Sequence, residues 1–157
     1  MSAPLMEIKE LSVAFTSDGE ETLAADRVSL TVEKGETVAI VGESGSGKSV
    51  TALSILKLLP YPQASHPGGQ ILFEGRDLLT ADERTLRRVR GDRISMVFQE
   101  PMTSLNPLQT IEKQVGEMLI EHKGLRGPAV RDRVLDLLHK VGIPNAEERL
   151  NAYPHQL

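Results

Sequence analysis

The sequence predicts an α/β fold organised around a phosphate-binding loop, and three observations predict it. Residues 42–49 read GESGSGKS, which fits the pattern G-x-x-x-x-G-K-[ST]. The apolar run Thr37-Val38-Ala39-Ile40-Val41 leads into that motif as a strand would. Ser49 to Leu59 leads out of it as a helix would, as far as Pro60.

The other elements follow in chain order. Leu11, Val13 and Phe15 alternate in the manner of a half-buried strand, and Ser17-Asp18-Gly19 is a turn signal. Val28, Leu30 and Val32 alternate again, and Glu33-Lys34-Gly35 turns the chain into the run before the motif. This region therefore predicts antiparallel strands beside a buried parallel strand. The stretch from Tyr61 to Gly69 is rich in Pro, Gly and Ser and reads as a loop. Ile71 and Phe73 mark another strand, with Glu74-Gly75 as its turn. Thr80-Ala81-Asp82-Glu83 has the form of a capping box opening a polar helix. Ile94 to Phe98 is a second apolar strand that ends at Gln99. Two amphipathic helices are predicted beyond Glu100. The first carries Ile111, Val115, Met118 and Leu119; the second carries Val130, Val134, Leu137, Leu138 and Val141, with Gly142 as its C-cap. There is no internal repeat and no low-complexity segment. The change of character at Glu100 divides the chain into residues 1–100 and 101–157.

Composition narrows the chemistry. A length of 157 residues suits one domain, and 39% hydrophobic with 25% charged residues is ordinary for a soluble globular chain. The net charge of −4 gives no general attraction to nucleic acid or anionic lipid. Having no cysteine excludes disulfides, thiolate metal sites and a cysteine nucleophile. His66, His122, His139 and His155 are scattered, without metal-site spacing. The N-terminal residues show no basic stretch followed by an apolar core, and no apolar run approaches the ~20 residues of a membrane helix. A soluble, cytoplasmic chain is expected, with any membrane role coming through a partner.

Each residue type in GESGSGKS has a physical task on a nucleotide triphosphate. Gly42, Gly45 and Gly47 let the backbone wrap closely, so that consecutive N–H groups converge on phosphate oxygens. Ser44 and Ser46 lie within that wrap. A helix starting near Lys48 adds its partial positive charge. Lys48 is placed to reach the β- and γ-phosphates, and the Ser49 hydroxyl to ligate Mg²⁺. Val50 contributes a backbone N–H without a hydroxyl. The bland alternative, a glycine-rich turn without a ligand, fits the flanking strand and helix less well. The dinucleotide pattern G-x-G-x-x-G does not fit, because Val50 stands where its third glycine is required. A further cluster, Arg84, Arg87, Arg88, Arg90 and Arg93, is interleaved with Asp82, Glu83 and Asp92. It reads as a solvated helix face and not as a nucleic-acid surface, which would be broader and poorer in acids.

The P-loop, its spacing to Gln99 and the sequence FQEPMTSLNPLQT (Phe98 to Thr110) resemble the nucleotide-binding domain of ABC transporters over essentially the whole chain. GESGSGKSVTALSIL and the closing YPHQL are similar to importers of dipeptides and oligopeptides, and to the microcin C type whose ATPase carries two fused cassettes. The resemblance implies a RecA-like P-loop NTPase core with an N-terminal antiparallel β subdomain and the start of a helical subdomain. It implies ATP and Mg²⁺ as cofactors, and the ATPase subunit of a peptide importer as the function. Phe15 corresponds to an aromatic that stacks on adenine, a role needing only a π-face; the alternative is a core residue. Gln99 corresponds to the Q-loop glutamine near Mg²⁺ and the attacking water, a task suited to an amide that both donates and accepts; the alternative is a solvated strand end. Implied partners are a second cassette, permease subunits met through the Q-loop region, and indirectly a solute-binding protein, with no nucleic acid. The implied location is the cytoplasmic face of the membrane.

Other family parts are not found in these residues. No run of four apolar residues ends in Asp-Glu, so neither a Walker B nor a catalytic glutamate is assignable. Val134-Leu135-Asp136 sits inside a helix pattern, and His155 precedes the place of the Ser-Gly-Gly signature. The chain is expected to be the N-terminal part of one cassette, binding nucleotide without useful hydrolysis. The alternatives are a soluble cassette ATPase of DNA repair or translation and a non-hydrolysing regulatory fragment.

Overall fold

The computed structural model describes residues 3–157; Met1, Ser2 and the side chains of Pro101 and Met102, which fall in the FQEPMTSLNPLQT stretch, lie outside the described residues. Two compact units divide at Arg90/Gly91. The first is built on β1 (Met6–Ser17) and β2 (Glu20–Val32), which pair antiparallel along their length. Asp18 at φ 51 and Gly19 at φ 82 join them in a two-residue turn with both central residues left-handed, the geometry that matches strand twist. The expected turn and the strands around it are present. Short strands β3 (Ala64–Ser65), β4 (Gln70–Phe73) and β5 (Arg76–Asp77) complete the sheet. Its order is β2-β1-β4-β5, with β3 also on β1, and every pairing is antiparallel. Ile8, Leu11, Val13 and Ala14 of β1 are buried together with Ala25, Ala64, Ile71 and Phe73. The central strand therefore carries the core of this unit, where burial contributes about 25 cal/mol per Å² of apolar surface.

The hairpin register is broken three times. Ile8 faces Leu30, Leu11 faces Val28, Val13 faces Ala25 and Ala14 faces Leu23. Successive steps thus give an extra residue first to β1, then to β2, then to β2 again, where Ala24 is left unpaired. Glu10 at φ 46 and Arg27 at φ 48 absorb the first two kinks. Their N–H groups donate to Ser29 Oγ at 2.9 Å and Ser12 Oγ at 3.1 Å, so hydroxyls replace the missing ladder partners. Gly68 and Gly69 run against the first bulge, and Ser12 N donates to Gly68 O at 3.0 Å.

Between β2 and β3 lies α1 (Lys48–Ile55), shorter than the helix expected to Leu59. Lys57 enters the left-handed region at φ 52. Its N–H donates to Ser54 O, and that of Leu58 to Leu53 O, a Schellman closure with lysine where glycine is usual. The buried hydroxyls of Thr51 and Ser54 donate back to Gly47 O and Val50 O at 2.7 and 2.6 Å.

The expected parallel strand, Thr37–Val41, is not a strand: it pairs with no described residue, and Val41 is 88% exposed. The same correction applies to Ile94–Phe98, where only Ile94 makes an isolated bridge and Val97 is 96% exposed. A strand is a ladder of hydrogen bonds, and apolar character alone does not supply a neighbour. The helix after β5, α2 (Glu83–Val89), is capped by Asp82, whose side chain accepts from Thr85 N at 2.7 Å; Thr80 is not the cap. The bonds to Thr85 and the nearby Arg84 and Arg76 lower the Asp82 pKa. Arg90 pairs with Glu83 at 2.7 Å and donates to Leu56 O at 2.9 Å, while Arg84, Arg87 and Arg88 are exposed.

His66 joins the loop to β1. Its Nδ1 lies 3.2 Å from Ser12 O, a carbonyl that only accepts, so Nδ1 carries the proton. Neutral Nε2 then accepts from the Tyr61 hydroxyl at 2.5 Å, with Lys57 over the Tyr61 ring. Burial lowers the His66 pKa more than the Ser12 bond raises it, and Lys57 lowers it further. The unfolded chain then binds more protons than the folded one, so stability is complete above the ordinary value of about 6.5 and falls as pH drops through it. Thermal melts at pH 7.5 and 5.5 should show a larger loss for the native chain than for His66→Asn. Equal losses would remove His66 as a cause.

The second unit, Gly91–Leu157, contains α3 (Ile111–Lys123), α4 (Pro128–Lys140) and the short α5 (Ala146–Arg149). Its core is Ile111, Val130, Val134, Leu138, Ala146 and Leu150, with Val115 and Leu119 packed against it. Of the expected apolar faces, Met118 and Val141 are exposed. A Cβ on Gly116 would lie 2.8 Å from Val130 Cγ1, so α3 and α4 approach where a side chain is absent. Gly142 at φ 77 stands one residue past the C-cap Val141, closing α4 through Gly142 N to His139 O and Ile143 N to Leu138 O.

Candidate functional site

The loop from Gly42 to Ser49 wraps around its own lysine. Lys48 Nζ donates to Gly42 O and Glu43 O, both at 2.6 Å, and to Ser46 Oγ at 3.3 Å. Ser46 N donates to Glu43 O at 3.2 Å, which tightens the turn. A Cβ on Gly42 would stand 2.7 Å from Ser46 Oγ. Gly45 at φ 81 and Gly47 at φ 95 both use backbone that other residues adopt only under strain. Gly47 is required twice over, since its Cβ would lie 2.7 Å from Ala24 O and 3.4 Å from Ala25 Cβ. The unpaired residue of β2 therefore sets the floor beneath the loop.

Gly47 is the N-cap of α1, and no side chain caps that end. The first N–H groups of a helix lack intrahelical acceptors and carry partial positive charge. A hollow of ≈ 200 Å³ beside them is lined by Ala24, Gly45, Gly47, Lys48, Ser49 and Val50. Ser49 is exposed in the first turn, and Gly42 to Ser46 are exposed along the loop. The space, the N–H groups and one ammonium suit a phosphate group. Among the described residues no set of three His, Asp or Glu could hold a metal ion. A Mg²⁺ ion fits here only with phosphate oxygens and waters completing its shell around the Ser49 hydroxyl.

Phe15 lies half-buried on β1, opposite Thr22 on β2 and Ala64 on β3, and is not among the residues lining the hollow. Gln99 is exposed and belongs to the second unit. The structure thus brings together Gly42, Gly45, Ser46, Gly47, Lys48, Ser49 and Val50; Ser44 is exposed at the apex of the loop. Sequence reasoning missed Ala24 and the carbonyl of Glu43. The pair Ala24-Ala25, small residues inside a strand of larger ones, was the available signal for a close approach.

A glycine loop that opens a helix over a cationic hollow is the architecture of a P-loop. The chain belongs to the ABC transporter family, whose profile matches residues 25–157. It is 61% identical over 154 residues to the peptidoglycan transport ATP-binding protein YejF of Agrobacterium fabrum, covering 98% of this chain and 28% of that protein. It is 47% identical over 152 residues to the oligopeptide transport ATP-binding protein OppD of Bacillus subtilis, covering 97% and 42%. The dimeric structure of MJ0796, a bacterial ABC transporter cassette, superposes with a TM-score of 0.80 at 28% identity, over 97% of this chain and 62% of that one. The fold is therefore that of an ABC cassette with its antiparallel β subdomain followed by helices. The chain spans less than half the length of the curated relatives just named.

Proposed function

We propose that this chain is the nucleotide-gripping part of an ABC ATPase that energises import of peptides or related solutes. The observation that carries the proposal is the closed loop of Gly42 to Ser49 around Lys48, seated on Ala24. The names of the relatives, which specify transport of peptidoglycan and oligopeptides, support the solute class. Lys48 and the N–H groups at the start of α1 bind the β- and γ-phosphates, and Ser49 holds Mg²⁺ against them. Mg²⁺ there neutralises phosphate charge. Phe15 is assigned to adenine. Gln99 is assigned to Mg²⁺ and the attacking water on its motif, not on geometry. The functional division falls at 100/101, with the Q-loop opening the helical part.

A second cassette and permease subunits are the proposed partners; the dimeric state of the related cassette supports the first. A solute-binding protein enters only through the permease, and the cytoplasmic membrane face is the working location. No described helix is long and apolar enough to cross a membrane. The exposed Val38, Ile40, Val41, Val97 and Phe98 are surfaces for further polypeptide. The isolated chain binds nucleotide but turns it over poorly, because no Walker B carboxylate is assignable in its sequence to act on the attacking water beside Gln99. Calorimetric titration with MgATP should show binding that Lys48→Ala weakens at least tenfold, as expected for loss of a charged phosphate contact. Unchanged affinity in that variant would sink the proposal, and Lys48-dependent turnover would refute the inactivity of the isolated chain.

A further inference from the structure

We infer that Ser46 is a positioning residue that parks Lys48, and that its bond is the one exchanged when phosphate arrives. The inference rests on the proposed nucleotide site and goes beyond it, because it identifies the contact with which phosphate competes. An ammonium has three donors and no acceptor. In this loop all three have an acceptor: Gly42 O and Glu43 O at 2.6 Å, and Ser46 Oγ at 3.3 Å. Lys48 is therefore saturated by its own loop, and a phosphate oxygen gains a hydrogen bond from it only by displacing one of these three.

The three bonds are unequal. The two carbonyls belong to the backbone turn, and Glu43 O also accepts from Ser46 N, so moving either one distorts the loop. The Ser46 hydroxyl is longer-bonded, belongs to an exposed residue and turns about a single side-chain torsion. Gly42 makes the arrangement possible, since a Cβ there would meet Ser46 Oγ at 2.7 Å. Any larger residue at 42 would push the hydroxyl off the ammonium. The Ser46 hydroxyl thus holds Lys48 against the loop before nucleotide binds and releases it first.

Removing the acceptor leaves one ammonium donor free in advance. Ser46→Ala should bind MgATP about fivefold more tightly than the native chain, the scale of one net hydrogen bond. Ser46→Thr keeps the hydroxyl and should restore native affinity. In the nucleotide-free state, NMR of the ¹⁵N-labelled lysine ammonium should show faster hydrogen exchange at Lys48 in Ser46→Ala than in the native chain or Ser46→Thr. Because Ser46 is exposed, all three should share one melting temperature. Equal or weaker MgATP binding by Ser46→Ala overturns the inference. If the native chain binds no MgATP, the proposed function falls, and the exchange comparison still decides this point: unchanged Lys48 exchange overturns it.

Discussion

Gly69→Ala should destabilise the unit built on β1 by about 3 kcal/mol or more. The added Cβ would lie 2.4 Å from Leu11 Cα, 2.6 Å from Glu10 O and 2.7 Å from Leu11 N. All three are backbone atoms of the central strand, so no flexible side chain can yield. Gly69 also sits at φ 104, where alanine is strained whatever the space. Leu11 is fully buried, and displacing it opens the core around Val13 and Ile71. The combined loss is about 3 kcal/mol or more, comparable with a buried cavity and a large part of the stability of a small domain. Neighbouring Gly68 has nothing within 4 Å of its Cβ position, so Gly68→Ala is the matched control. Urea denaturation followed by circular dichroism should separate the two variants widely. Overlapping curves would show that the Gly69 crossing of the bulge is not rigid.

Gly47→Ala should abolish nucleotide binding with a smaller effect on folding. Its Cβ would press on Ala24 O at 2.7 Å and on Ala25 Cβ at 3.4 Å, and φ 95 disfavours any side chain. Relief requires the start of α1 to lift from β2, carrying Lys48, Ser49 and their N–H groups away from the phosphate position. A displacement of a few tenths of an ångström spoils several charge-assisted bonds at once, so MgATP affinity should fall by about a hundredfold. Gly45→Ala is the instructive comparison. Gly45 has nearly the same φ, 81, but open space around its Cβ position. It should lose only the roughly 1–2 kcal/mol of local strain, about tenfold in affinity. Equal losses for the two would show that backbone strain, not the Ala24 contact, controls the loop.

What could be read in advance follows from how local each signal is. The hairpin turn at Asp18-Gly19, the strand at Ile71 and Phe73 and the helices around Val115 and Val134 declare themselves within a few residues. The phosphate loop does so too, because its glycines, lysine and serine act on one another over eight positions. Thr37–Val41 and Ile94–Phe98 were misread because their apolar pattern says what they would bury, not which strand would pair with them. The early end of α1 was hidden because Lys57 takes a left-handed conformation that its residue type does not advertise. The capping residue of α2 was off by two positions because Thr80 fits the box with Glu83 while Asp82 is an equally favoured N-cap type, and the bond from Thr85 N places the cap at Asp82. The three bulges left almost no trace, since register is a property of two strands together.

The bulge at Ala24 makes strand length a calibrated quantity. Counting from Gly19, the fifth residue supplies the carbonyl beneath Gly47, and every residue between them is fixed by its pairing with β1. A residue gained or lost at the hairpin tip alters an open, solvent-facing turn and leaves that carbonyl in place. The same change a few positions further on shifts the phase of β2 and presents a different part of the strand to the loop. A single hairpin thereby carries two unequal tolerances for length. The tip can change length, while the stretch leading to Ala24 must keep its count, although Ala24 alone of that stretch lines the hollow.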